Sequence, residues 1–130
     1  MAADYGNLGN VYQTRGELDK AVEFYQKALQ LHEALGSKEG MAINYANLGL
    51  VYQTRGELDK AVEFHQKALQ LDEALGSKQG MAADYGNLGN VYKQSNKTKA
   101  KHYYQLSIAL YNQLHSPMAK TVQAWLDALK

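Results

Sequence analysis

The sequence predicts an all-α protein built from stacked helix hairpins. Residues 41–80 repeat residues 1–40 with only seven differences, and residues 81–92 repeat residues 1–12 without change. A fixed period of this length is typical of repeat proteins, in which each unit buries its apolar face against its neighbours. Apolar residues inside each unit recur at helical spacing, so we expect paired helices rather than strands.

Each forty-residue unit is predicted to form two helices joined by a tight turn. In the first unit Tyr5, Leu8 and Tyr12 share one face of a first helix, called helix A here. The same spacing continues from Leu18 to Leu35 and predicts a second helix, helix B. Gly16 lies between the two patterns and can take the positive φ that ends a helix in a turn.

The junctions between units carry helix stop and start signals. Gly36 and Gly76 follow helix B, where a left-handed residue is favoured. Ser37 and Ser77 come next and can accept hydrogen bonds from the first amides of the following helix. In the third unit the hairpin turn is one residue shorter and lacks glycine, so we expect Asn96 to take the left-handed conformation there.

A seventh helix is predicted over about residues 117–129. Ser116 as its cap and Pro117 as its first residue form a strong start signal. Its apolar stripe is expected to cover the end of the stack, with Trp125 as a core residue rather than a ligand-stacking one. We therefore predict a single domain over residues 1–130, with repeats at about 1–36, 37–76 and 77–115.

Composition narrows the class of protein. The formal net charge is +1, and the chain has no cysteine, which excludes a disulfide framework or a thiolate metal site. We expect an intracellular, cytoplasmic protein, since no apolar run reaches membrane-spanning length and no signal peptide is evident. Met1 occupies the repeat position of Met41 and Met81, so we interpret the chain as a section of a longer array or an engineered protein.

The sequence contains no evident catalytic or metal-binding motif. None of the four histidines has an i, i+4 partner on a helix face, and His65 replaces Tyr25 at a packing position, where we interpret it as a core or boundary histidine. Gly36-Ser37-Lys38 lacks the preceding strand and upstream glycine of a phosphate loop. We therefore predict a non-enzymatic protein without metal or cofactor.

The repeated residues resemble the tetratricopeptide repeat. That resemblance covers about residues 2–115 and implies a right-handed superhelical solenoid of three hairpins plus a C-terminal capping helix. The period of forty is longer than the family's usual 34 and resembles the repeats of kinesin light chains and of Gα-binding scaffolds. The matching residues of the first unit are Tyr5, Leu8, Gly9, Tyr12, Gly16, Ala21, Tyr25 and Ala28.

The resemblance implies a concave groove, lined by the A helices, that binds a protein or an extended peptide. Asn7, Asn47 and Asn87 recur once per repeat and can bridge the backbone groups of a peptide. The alternative is that they bond within the stack or face water. Asn10, Asn90, Gln13, Gln53 and Lys93 are predicted as flanking contacts, and Ile43 and Leu50 as an apolar patch.

Two further points stay open at this stage. Gly6 and Gly86 either leave room for a ligand's backbone or admit a neighbouring helix. A second function is self-association, because the first helix A has no upstream neighbour to cover its apolar face; stacking end to end or exchange of hairpins would give a homo-oligomer. RNA is disfavoured, since binding would require a basic groove and Lys93 is the only groove charge.

Overall fold

The computed structural model describes residues 1–129, which contain seven α-helices and no strand. This confirms the all-α fold class. In chain order the helices are α1 (Ala2–Thr14), α2 (Leu18–Leu35), α3 (Lys38–Thr54), α4 (Leu58–Leu75), α5 (Lys78–Tyr92), α6 (Lys97–Gln113) and α7 (Met118–Asp127). Helices α1, α3 and α5 are the predicted A helices, and α2, α4 and α6 are the predicted B helices.

The chain divides into two units of dense internal contact. The first runs from Met1 to Leu71 and holds α1, α2, α3 and most of α4. The second begins at Asp72 and holds the last turn of α4 with α5, α6 and α7. The arrangement of all repeats as a single domain stays a prediction.

The predicted glycine turns are confirmed. Gly16 and Gly56 end the A helices of the first two hairpins at φ of 77° and 79°. Gly36 and Gly76 end the B helices at φ of 68° and 67°. Side chains rarely adopt these left-handed angles, so glycine stabilises each turn.

The predicted serine caps also form. The hydroxyl oxygen of Ser37 accepts a hydrogen bond from the amide of Gly40 at 3.2 Å, and Ser77 accepts one from Gly80 at 3.1 Å. These bonds satisfy amides that have no partner inside the helix. The B helix of one repeat is thereby joined to the A helix of the next through a turn of defined geometry.

The last junction keeps the same geometry without a glycine. His115 takes the left-handed conformation, with φ of 52°, although a side chain is disfavoured there. The hydroxyl of Ser116 accepts a hydrogen bond from the amide of Met118 at 3.2 Å. Helix α7 therefore begins at Met118, one residue after the predicted Pro117, and ends two residues before the predicted boundary.

The prediction for Asn96 is wrong. Its φ is −150°, and it serves as the N-cap of α6, where its side-chain oxygen accepts from the amide of Lys99 at 3.1 Å. The shortened turn ends α5 at Tyr92, whose carbonyl accepts from the amide of Asn96 at 2.8 Å. The chain thus passes from helix to cap without a left-handed residue.

A glycine of each A helix packs directly against a ring of its B helix. A Cβ at the glycine would stand 2.6, 2.6 and 2.5 Å from the nearest ring atom in hairpins one, two and three. No side chain fits there, so the glycine sets how closely the two helices approach. The pairs are Gly9 with Tyr25, Gly49 with His65, and Gly89 with Tyr104.

We expect opposite effects from two alanine substitutions on α1. Gly6 has open space at its Cβ position, where the nearest atom, Oδ1 of Asn44, lies 3.9 Å away. Gly6→Ala should raise the free energy of unfolding by about 0.5–1 kcal/mol through helix propensity. Gly9→Ala should lower it by about 1–3 kcal/mol, because the new methyl meets the ring of Tyr25. Urea titrations followed by circular dichroism measure both, and changes of the same sign would contradict the contact.

Candidate functional site

A pocket of about 380 Å³ opens in the first unit between α1 and α3. It includes four of the residues predicted to bind a peptide, which are Asn7, Asn10, Ile43 and Asn47. The rest of its wall comes from both helices and from the end of α2. These other lining residues are Ala2, Ala3, Gly6, His32, Ser37, Glu39, Gly40 and Asn44.

The predicted asparagine series is found at equivalent places on three A helices. Asn7 on α1 is exposed, and Asn47 on α3 is half-buried; both line the pocket. Asn87 lies on α5 in the second unit and is also half-buried. The continuity of the three as one ladder stays a prediction.

Buried tyrosine hydroxyls approach three of the predicted flanking contacts from inside the hairpins. The hydroxyl of Tyr25 lies 2.5 Å from Oδ1 of Asn10 and 2.6 Å from Oε1 of Gln13, so its one proton serves one of them at a time. Burial raises the pKa of Tyr25 to about 12, which keeps the phenol protonated as a donor. In the third hairpin Tyr104 donates to Oδ1 of Asn90 at 2.6 Å.

These bonds leave the amide N–H groups of Asn10 and Asn90 available for a ligand. The second hairpin lacks the arrangement, because His65 replaces the tyrosine and Leu50 replaces the asparagine. His65 is fully buried, as predicted for a core residue, and burial lowers its pKa to about 4. The two positions therefore change together: an asparagine on the A helix occurs with a tyrosine on the B helix, and the leucine on α3 occurs with the histidine on α4.

The remaining predicted contacts differ in exposure. Leu50 and Gln53 on α3 are half-buried, and Oε1 of Gln53 is a buried atom without a hydrogen-bond partner among the described residues. Lys93 follows α5 and is exposed. Gly86 is buried on α5, where a Cβ would lie 3.4 Å from Oγ of Ser107 and 3.6 Å from Trp125. Gly86 therefore admits neighbouring helices, whereas Gly6 faces open space.

Two polar residues of the pocket wall, Asn44 and His32, were not predicted from the sequence. Asn44 is 3% exposed; its Nδ2 donates to the carbonyl of Gly40 at 2.8 Å, and its Oδ1 is buried with no hydrogen-bond partner in the part of the chain that the structure describes. The ring of His32 packs so tightly on Gly40 that no side chain fits at that position, and within the same residues its buried Nδ1 also has no partner. Unpaired buried polar atoms carry a desolvation penalty that a bound group can relieve.

One signal in the sequence could have found these residues. Two copies of forty residues differ at seven positions, and at six of them one copy's residue lies in the pocket wall. The seventh is Tyr25, whose hydroxyl bonds Asn10 in that wall. The two copies thus differ around the pocket and at one buried ring position, Tyr25 or His65, and are otherwise the same. At one of the six positions both copies' residues line the pocket, Ala3 and Ile43. At the other five the lining residues are Asn44, Gly6, Asn10, His32 and Glu39.

At the next junction the residues equivalent to His32 and Asn44 are two acids. Asp72 at the end of α4 and Asp84 on α5 are both buried, and they share a hydrogen bond. Burial, then the bond to Asp72 and its charge, raise the pKa of Asp84 well above the usual value of 3.8. The carboxyl group of Asp84 therefore keeps its proton at neutral pH and can donate it to Asp72.

The retained proton of Asp84 makes a prediction for pH dependence. A raised pKa in the folded state means that the stabilisation is complete below pH 3.8 and is lost as the pH rises through the folded-state value. Asp84→Asn removes this titration, so its stability relative to the unmodified chain should increase from pH 5 to pH 8, by up to about 1.4 kcal/mol per pH unit.

The measurement is the difference between urea midpoints of the two proteins at each pH. Taking that difference removes contributions of other groups, including His65. Asp4→Asn is the matched control, because Asp4 occupies the same repeat position on α1 but is exposed. A difference that does not change with pH would contradict the retained proton.

The described residues show no arrangement typical of another class of site. Residues 1–129 contain no cluster of three side chains of the kinds that hold a metal ion. None of their helices combines the length and apolarity required to cross a membrane.

These features define a helical-repeat protein whose A helices present a polar surface pocket. A family model of the tetratricopeptide repeat matches residues 1–74 and also residues 40–113. The chain therefore belongs to the tetratricopeptide repeat family. Members of this family are generally non-catalytic scaffolds that bind proteins or peptides. A search of curated proteins found no match.

Solved structures agree with the repeat fold. BtubC (BKLC) from P. vanneervenii superposes with a TM-score of 0.88 at 25% identity, over 98% of this chain and 54% of its own. The chain thus spans about half the length of that protein. The TPR domain of Arabidopsis FLU gives a TM-score of 0.80 at 21% identity, over 86% and 95% of the two chains.

A third structure bears on the forty-residue period. The nearly identical TPR-like repeats of a putative kinesin light chain from Podospora anserina match with a TM-score of 0.79 at 18% identity. The match covers 95% of this chain and 63% of that one. The resemblance to kinesin light chain repeats is confirmed at the level of fold.

Proposed function

We propose that this chain is a scaffold that binds an extended peptide or protein segment along its A helices, in the concave groove of the family. The observation that carries the proposal is the concentration of repeat differences around the pocket. Apart from the ring position of Tyr25 and His65, the residues that pack the two helices of a hairpin together are the same in both full copies, whereas the pocket wall is different. A pocket with its own chemistry on a common framework is what ligand recognition requires.

The asparagines supply the polar part of this binding. Asn7, Asn47 and Asn87 each offer two donors and an acceptor to the backbone of an extended peptide. Each net hydrogen bond is worth about 0.5–1.5 kcal/mol, so three do not reach the roughly −8 kcal/mol of a micromolar complex. Side-chain contacts must supply the remainder, and exposed Ile43 with half-buried Leu50 forms an apolar patch on α3 for this purpose.

The flanking residues add oriented donors. Asn10 and Asn90 have their oxygens engaged by tyrosine hydroxyls, so their N–H groups are directed without loss of further side-chain freedom. Gln13 on α1, Gln53 on α3 and Lys93 after α5 are the further flanking contacts of the proposal. The proposal includes no catalytic step and no cofactor.

Replacement of Asn47 tests the central contact. A peptide first selected by display on the immobilised chain serves as the probe. Asn47→Ala should weaken its binding by about 0.5–1.5 kcal/mol, since one or two backbone hydrogen bonds are lost. Isothermal titration calorimetry measures the effect, and circular dichroism checks that helicity is unchanged.

Asn112→Ala is the control for this experiment. Asn112 is an exposed asparagine on α6, a B helix outside the predicted groove. Its replacement should leave the affinity as it was. Equal affinities for the Asn47 variant and the unmodified chain would reject the role of the asparagine series.

A second candidate function, self-association, is favoured by the exposed face of α1. Leu8 and Val11 are 40% and 49% exposed, whereas their counterparts Leu48 and Val51 on α3 are fully buried. The sequence is the same, so the difference lies in the covering helix: α2 packs on α3, and within the described residues nothing equivalent covers α1. Burial of two such side chains is worth a few kcal/mol.

The charged residues at one end of the exposed α1 face also favour a second copy of the chain as its partner. Arg55 after α3 pairs with Glu57 at 2.9 Å and also with Asp19 of the covering helix α2 at 3.3 Å. Arg15 after α1 pairs with Glu17 at 3.0 Å. A B helix contributed by a second copy, through exchange of hairpins, would place its own aspartate near Arg15.

We expect the apparent mass of the chain to rise with concentration, and Leu8→Glu to abolish the rise. Light scattering after size exclusion at several loading concentrations measures it. Leu114→Glu is the matched control, because Leu114 is 41% exposed but follows α6 in the second unit and is not part of α1. A chain that stays monomeric at every concentration would remove this function.

A further inference from the structure

The floor of the α1–α3 pocket carries two buried polar atoms that have no hydrogen-bond partner within residues 1–129. Oδ1 of Asn44 is held in place because the Nδ2 of the same amide donates to Gly40. Nδ1 of His32 is the second, and in a neutral imidazole one ring nitrogen is an acceptor. Asn44 is only 3% exposed, and it lines the pocket between α1 and α3.

The second unit carries different residues at the equivalent positions. There Asp72 and Asp84 replace the histidine and the asparagine, and they bond each other. In the first unit a Cβ at Gly6 would have no neighbour closer than 3.9 Å. In the first unit the two polar groups do not bond each other, and the space above them stays open.

The charge of the pocket wall favours a positively charged ligand group. Glu39 is the one carboxylate among the residues that line the pocket, and none of them is a lysine or an arginine. Ile43 and Ala3 supply apolar surface at the entrance. A ligand group that fits this pocket needs hydrogen-bond donors that reach Asn44 and His32. It also needs a positive charge to pair with Glu39 and an aliphatic chain to contact Ile43 and Ala3.

We propose that this pocket binds the side chain of an arginine in the peptide held by the A helices. The guanidinium carries five N–H donors in a fixed plane, so it can serve Asn44 and His32 together and still pair with Glu39. An ammonium is a compact, strongly hydrated charge and satisfies separated acceptors less well. The assignment rests on the proposed function and names the ligand side chain at one position of it.

Blocked pentapeptides of the form acetyl-Gly-Ala-X-Ala-Gly-amide test the assignment directly. The full chain is labelled with ¹⁵N and titrated with peptides in which X is arginine, lysine, citrulline, leucine or glutamate. The arginine peptide should shift the amide signal of Gly6 and the side-chain signal of Asn44 at millimolar concentration. Leucine and glutamate peptides should bind at least tenfold more weakly. Equal shifts for arginine and leucine, or arginine shifts that map elsewhere, would overturn the assignment.

Two variants probe the wall. Glu39→Gln introduces the residue found at the same position of the next repeat, Gln79, and should weaken the arginine peptide about threefold to tenfold while leaving citrulline unaffected. Gly6→Leu fills open space on α1 and should abolish both shifts. Gln79→Glu is the control, because Gln79 lies outside the pocket and its change should leave binding as it was. Unchanged arginine binding in Gly6→Leu would overturn the pocket as the site.

The display-selected peptide separates this assignment from the proposed function. If that peptide depends on Asn47 but binds Gly6→Leu as well as the unmodified chain, the groove function stands and the arginine pocket is rejected. If the arginine pentapeptide gives the expected shifts while no selected peptide depends on Asn47, the pocket stands and the asparagine series is rejected. If the selected peptide loses its affinity for both Asn47→Ala and Gly6→Leu, the groove function and the arginine pocket are both supported.

Discussion

The contact between a glycine on each A helix and a ring on its B helix is the constraint on which the repeat depends. With Cβ distances of 2.5–2.6 Å, any side chain at Gly9, Gly49 or Gly89 would separate the two helices. The ring of Tyr25 that packs on Gly9 carries its hydroxyl to the neighbouring residues of the same A helix. The hydroxyl of Tyr25 can therefore reach Asn10 at the pocket.

Most of the fold could be predicted because its signals are local and recur. Helical spacing places α2 at its observed bounds and the start signal places α7 to within two residues, and the positive φ at Gly36 was predicted from a glycine at the end of a B helix. Asn96 shows where this fails. Two conformations suit an asparagine in a turn, and the shortened connection from Tyr92 decided between them. His115 takes a left-handed angle that its residue type does not predict.

The site was harder to predict because its chemistry depends on contacts across helices. The sequence indicates a surface amide at Asn10. Its hydrogen bond to Tyr25 depends on how α1 and α2 cross, which the spacing of apolar residues along the sequence does not determine. Asn44 reads as an ordinary helical residue, yet it is buried with an unpaired oxygen. The available clue was the comparison of the two copies, which differ almost only where the pocket lies.

Two kinds of residue pair in this chain have different consequences for rearrangement of the repeats. The pair Tyr25 and Asn10 lies within one hairpin, so it travels intact wherever that hairpin is duplicated or inserted. The pairs at the junctions, such as Asp72 with Asp84, join the end of one repeat to the start of the next. Hairpins shuffled into a new order would bring together partners that never met before, so the order of units, and not only their number, carries information.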